Sequence, residues 1–92
     1  MLESQIEKYL MKQVRNIGGL CYKWVSPGNN GVPDRIVLYK GKVWFVEVKR
    51  PTGKTRKLQD YVINQINQQG CCALVLNTKT KIDYFIEKLE AM

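Results

Sequence analysis

Asp34, Glu47 and Lys49 are the residues in this sequence whose types and spacing suit chemistry. Two carboxylates roughly 5 Å apart at Cβ repel, raise each other's pKa and are costly in a sheet unless a cation lies between them. Oxygen donors in a chain without a histidine favour Mg²⁺ or Mn²⁺ over zinc or copper. A lysine beside such a pair can hold a phosphate oxygen or steer an attacking water, which is the equipment for phosphodiester hydrolysis. The plainer alternative is an edge hairpin whose Glu47 and Lys49 are ordinary solvated residues.

The elements that must position these groups follow from local pattern. Residues 35–39 (RIVLY) and 43–48 (VWFVEV) are rich in β-branched and aromatic types, and Lys40-Gly41 between them is a turn signal. A two-residue turn there pairs residues whose numbers sum to 81, so Asp34 falls opposite Glu47. Alternation then puts Glu47 and Lys49 on one face, with Val46 and Val48 turned into apolar packing.

Pro33-Asp34 followed by Glu47-Val48-Lys49 resembles the PD-(D/E)XK nuclease signature. The stretches GGLCYKWVSPGNNGVPDRIVL and FVEVKRP, with Leu58-Gln59, resemble its VRR-NUC branch from about Glu3 to Leu76. A lone PD or ExK occurs by chance in many chains; the ordered set at this spacing is specific. The resemblance implies a metal-dependent, structure-specific DNA endonuclease. Asp34, Glu47 and the carbonyl of Val48 would hold Mg²⁺ or Mn²⁺, and Lys49 would position or help deprotonate the attacking water. A glutamate from the first helix would reach toward the metal through water: Glu7, with Glu3 as the second choice. Gln59 would point back at the site. Small free-standing members resemble Holliday junction resolvases and are expected to act as symmetric homodimers on four-way junctions, since two opposed strands need two sites. Larger relatives cut flaps, which is one alternative. A non-catalytic basic DNA-binding module is the other.

Fifteen Lys and Arg against eight acids give +7 and a pI near 9.5, which suggests a polyanionic partner, nucleic acid before an acidic membrane. Ninety-two residues with 45% apolar and 25% charged content suit one globular domain spanning 1–92. No run approaches the roughly 18 apolar residues of a membrane span, and Glu3 and Glu7 stand where a signal peptide would be basic and then apolar. A soluble, cytoplasmic protein is expected. Cys21, Cys71 and Cys72 form no CxxC, so neither zinc nor a disulfide framework is expected, and at least one of Cys71 and Cys72 should be buried.

Leu2, Ile6, Leu10, Val14 and Ile17 predict an amphipathic helix over 2–17 that ends at Gly18-Gly19. Its polar face carries Glu3 and Glu7, which as plain helix acids would be solvated or pair with Lys8, Lys12 or Arg15. Residues 20–25 read as a strand with Tyr22 and Trp24 on one face, as core residues ahead of base-stacking groups. Residues 26–33 read as a loop that delivers Asp34; the resemblance implies that Ser26 and Asn29 or Asn30 touch a DNA backbone there, and turn-making alone explains them as readily. Arg35 points to the opposite face from Asp34 and reads as structural or partner-facing. Beyond Lys49, the residues Arg50, Lys54, Arg56 and Lys57 suit a phosphate track whose affinity falls steeply with salt.

Thr55 is expected to cap a helix over 56–69 with Leu58, Val62, Ile63 and Ile66 inward and Gly70 closing it. Residues 71–76 read as a strand covered on both faces. Residues 80–90 read as a helix with Ile82, Phe85, Ile86 and Leu89 inward and Asp83, Glu87 and Glu90 on the surface. The resulting αβββαβα order, a mixed central sheet flanked by helices, is an α/β layered domain. It agrees with the restriction-endonuclease-like core that the resemblance implies.

Overall fold

The computed structural model describes residues 1–92. Its elements are α1 (Glu3–Asn16), β1 (Leu20–Lys23), β2 (Arg35–Tyr39), β3 (Lys42–Val48), α2 (Lys57–Gln68), β4 (Cys72–Leu76) and α3 (Lys79–Glu90). The sheet order is β1-β2-β3-β4, antiparallel through β3, with β4 parallel to β3. A parallel pair needs a crossover, and α2 supplies it. This is the expected α/β architecture with a mixed four-stranded sheet.

The hairpin register is the predicted one, Arg35↔Val46 through Tyr39↔Lys42. Lys40 and Gly41 both take positive φ, 49° and 78°, the backbone that a two-residue hairpin turn requires. Glycine adopts it freely, whereas Lys40 does so under the constraint of the two strands.

One face of the sheet is closed. Val37, Trp44, Val46, Val48 and Leu76 pack there against Ile6, Leu10 and Val14 of α1 and Ile82, Phe85, Ile86 and Leu89 of α3. The stripes predicted for the two terminal helices are therefore the core. Thr78 caps α3 by accepting from the Lys81 N–H at 3.1 Å. Asp83 lies on the surface as expected and is tied to Tyr9 across the helix pair through the tyrosine hydroxyl.

The other face is covered by α2 alone, and only Ile63 of that helix is buried. Several expectations are corrected here. Leu58 is half exposed, and Tyr22 lies open to solvent instead of in a core, because no second helix reaches across to β1. Cys71 and Cys72 are both exposed, because they stand just before and at the start of β4, an edge strand of the sheet. The N-cap of α2 is Arg56 and not Thr55. The side chain of Gln59 satisfies the Arg56 N–H at 2.9 Å, which leaves Thr55 to bond Asp60.

Asn67 completes the sheet edge. Its amide donates to the Ala73 carbonyl at 3.0 Å and accepts from the Ala73 N–H at 2.7 Å. One side chain thus stands in for a missing fifth strand at that position.

Candidate active site

β2 and β3 position the acids. The Trp24 N–H donates to the Asp34 carbonyl at 2.9 Å, which extends the β1–β2 pairing one step and fixes Asp34 at the mouth of the hairpin. Its carboxylate turns across to β3, where Oδ1 accepts from the Val48 N–H at 3.2 Å. Continuing the register past Arg35↔Val46 brings Asp34 opposite Glu47 and Pro33 opposite Val48. Proline has no N–H, so the ladder cannot supply a donor to the Val48 carbonyl. Pro33 is fully buried, and a carbonyl beside the acid pair is left for another partner.

Glu47 is the one charged residue inside the protein, 4% exposed. Its Oε2 takes two contacts, the Gln59 amide at 3.0 Å and the Lys49 ammonium at 3.4 Å. Gln59 is locked at both ends, since its other amide atom accepts from Arg56 N–H. Burial, then the charge of Asp34, pushes the Glu47 carboxyl up to about 7, with Lys49 acting in the opposite sense. Burial raises Asp34 as well; the Val48 N–H pulls it down, and the charges of Glu7 and Glu3 push it up again.

The structure therefore brings Asp34, Glu47, Lys49 and Gln59 together. Glu7 is paired: its Oε2 accepts from Arg35 Nε at 3.2 Å, a contact reaching across from α1 to β2, and its charge still acts on Asp34. Glu3 lies exposed one turn earlier, and its charge is felt by both Asp34 and Glu47. No group of three or more Asp, Glu, Cys or His side chains stands close enough to hold a metal ion. The donors around the hairpin mouth are two carboxylates with raised proton affinity and a backbone carbonyl without a strand partner. That all-oxygen set fits a hard divalent cation, which would relieve the repulsion that a single lysine leaves.

The role of Arg35 as the partner of Glu7 was not visible in the sequence. The signal available was a cation beside Asp34, on the face that α1 covers. Of the residues expected at DNA, Arg50, Lys54, Arg56 and Lys57 lie exposed around the segment joining β3 to α2. A turn from Arg50 to Gly53 shapes that segment, and Asn77 pins it by donating to the Pro51 carbonyl at 3.3 Å. Ser26 accepts from the Asn29 amide at 3.0 Å within its own loop.

No family model matches this chain. A protein of Acyrthosiphon pisum secondary endosymbiont phage 1 named "Putative nuclease p44" is 55% identical over 58 residues, a match that spans 62% of each chain. A solved structure described as a VRR_NUC domain superposes with a TM-score of 0.85 at 30% identity, covering 92% of this chain and 94% of that one. With near-complete coverage, that identity and a shared fold, the chain belongs to the VRR-NUC domain family.

Proposed function

We propose that the chain is a metal-dependent endonuclease that hydrolyses phosphodiester bonds in branched DNA, acting on four-way junctions as a homodimer. The observation that carries the reading is Glu47: a buried carboxylate facing Asp34, with a lysine at 3.4 Å, is a costly arrangement that folding alone does not require. Family membership and the nuclease named among the relatives support the same reaction class.

Asp34, Glu47 and the Val48 carbonyl would hold Mg²⁺ or Mn²⁺. Such an ion supplies charge neutralisation at the phosphoryl oxygens and lowers the pKa of an attacking water. Lys49 contributes a fixed positive charge where the phosphate must sit and a donor for the water or the departing oxygen. Gln59 holds Glu47 Oε2 in place, which leaves the other carboxylate oxygen for the ion. Glu7, though paired with Arg35, is the first-helix acid whose charge acts more strongly on Asp34 and would complete the shell, with Glu3 as the second choice.

Arg50, Lys54, Arg56 and Lys57 lie along the path a phosphate backbone would take to that point, and the net charge of +7 supports DNA as the partner inside the cell. A four-way junction has two opposed strands to cut, so a two-fold dimer matches its symmetry. Flaps are the alternative substrate.

A cleavage panel of junction, flap, nicked and linear duplex DNA with Mg²⁺ or Mn²⁺ tests the reading. Wild type should cut branched DNA, while Lys49→Ala and Asp34→Ala should lose about 10²–10⁴-fold in rate with DNA binding kept within a few-fold. If wild type cuts none of these substrates, the chain is a basic DNA-binding module. Paired, symmetric incisions at the junction indicate the dimer; incision only at a single-strand boundary indicates flaps.

A further inference from the structure

A cavity of about 520 Å³ opens between the 26–33 loop and α2, on the half-covered face of the sheet. Trp24 and Tyr61 line it, with the amides of Asn29, Asn30 and Gln65, and no acid does. Both aromatic side chains are held, Tyr61 exposed and Trp24 partly buried. Trp24 is braced by Phe45 behind it, ring centroids 4.9 Å apart, and the Tyr61 hydroxyl accepts from Gln65 Nε2 at 3.1 Å. Tyr61 is nonetheless 59% exposed, so this bracing serves no core.

The cavity is continuous with the active-site surroundings. Asn30 and Leu58 line both it and a neighbouring cavity bounded by Arg56 and by Gln59, the residue bonded to Glu47. A strand whose phosphate lies at the hairpin mouth would carry its next nucleotide past Arg56 toward the aromatic pair. The volume falls within the roughly 300–1,000 Å³ in which flat organic groups are held. Uncharged aromatic walls with amide donors and acceptors match a nucleobase, which presents a π-face and a hydrogen-bonding edge.

We propose that this cavity receives an unstacked nucleobase adjacent to the scissile phosphate, stacked on Trp24 and Tyr61 and contacted at its edge by Asn29, Asn30 and Gln65. The inference rests on the endonuclease reading for its placement and names its substrate class: DNA in which a nucleotide beside the cut is free to leave the stack, as at a branch point. Stacking is tolerant of base identity, so the selection is for structure and not for sequence.

The test is binding of the full chain, without divalent metal, to a junction, a flap and a blunt duplex of equal length. 2-Aminopurine is placed at the branch nucleotide to report stacking by fluorescence. Wild type should favour the branched substrates, with 2-aminopurine quenched. Tyr61→Ala should weaken branched binding about ten- to hundredfold, as expected for one lost stack, lose the quenching and leave duplex binding within twofold. Trp24→Phe, which keeps a ring against Phe45, should retain the preference, and Trp24→Leu should lose it. Equal loss on branched and duplex DNA, no loss with Tyr61→Ala, or no quenching with wild type would overturn the proposal. Cleavage that persists with no Tyr61 dependence removes this inference alone. Tyr61-dependent preference for branched DNA in a protein that cuts nothing removes the nuclease reading alone.

Discussion

The face of the sheet beneath α1 and α3 is dry and continuous, while the face beneath α2 is half open, and the same strands build both. Val46 and Val48 sit at 0% exposure on the first face; Phe45, Glu47 and Lys49 alternate with them on the second. Period-two alternation thus separates stability from chemistry within a single strand. Two amphipathic helices close the first face with residues at spacings of three and four. The second face has one helix with a single buried residue, and the space left over holds the acid pair and the aromatic cavity. A buried carboxylate is tolerable there because the opposite face supplies the folding free energy.

The comparison is broken if truncations on the two faces cost the same. Leu10→Ala, at 0% exposure in the closed core, should destabilise by about 2–5 kcal/mol in urea unfolding, whereas Leu58→Ala on the open face should cost under about 1 kcal/mol. Equal losses would mean that both faces carry the fold.

Glu47 sharpens it further. Its folded-state pKa of about 7 lies above that of an unfolded glutamate, so the folded protein binds the proton more tightly. Stability is then greatest at low pH with respect to this group and is lost as pH rises from about 4.5 through 7. The change amounts to as much as about 3 kcal/mol in metal-free protein, and Asp34 shifts in the same sense. Thermal unfolding from pH 5 to pH 8 should show the decline. Glu47→Gln should flatten it and raise stability at pH 8 while removing cleavage, and Mg²⁺ or Mn²⁺ should restore wild-type stability above pH 7. A flat profile in wild type would mean that Glu47 is solvated.

Asn67→Ala strips both partners from Ala73 at the sheet edge and should cost about 1–3 kcal/mol, more than an exposed helix asparagine would otherwise be worth. Pro33→Ala restores an N–H opposite the Val48 carbonyl. It should weaken Mn²⁺ binding about tenfold in calorimetry, close to 1.4 kcal/mol, with Gly as a control lacking the side chain. Unchanged affinity would remove that carbonyl from the ion's donors.

Much of this was legible in the residues. The element order, the two terminal-helix stripes and the hairpin register all follow from patterns a few residues long. Gln59 was expected by resemblance to point back at the site, toward the lysine or the attacking water; the structure has it bonded to Glu47 at 3.0 Å. Side-chain burial was less legible: Tyr22, Leu58, Cys71 and Cys72 look internal by type, but burial depends on which surfaces the helices reach. The capping of α2 was missed for a related reason, since a glutamine side chain outcompeted the threonine that propensity favoured.

The sequence by itself determined the bent pair of strands and the facing of Asp34 and Glu47, because turn chemistry and alternation act between near neighbours. Only the tertiary structure decided that Glu7 binds Arg35, 28 residues away, and that Glu47 lies buried under a helix too narrow to close its face. Charge pairing and desolvation are set by groups from every element that meets at a point, so no local stretch of chain contains them.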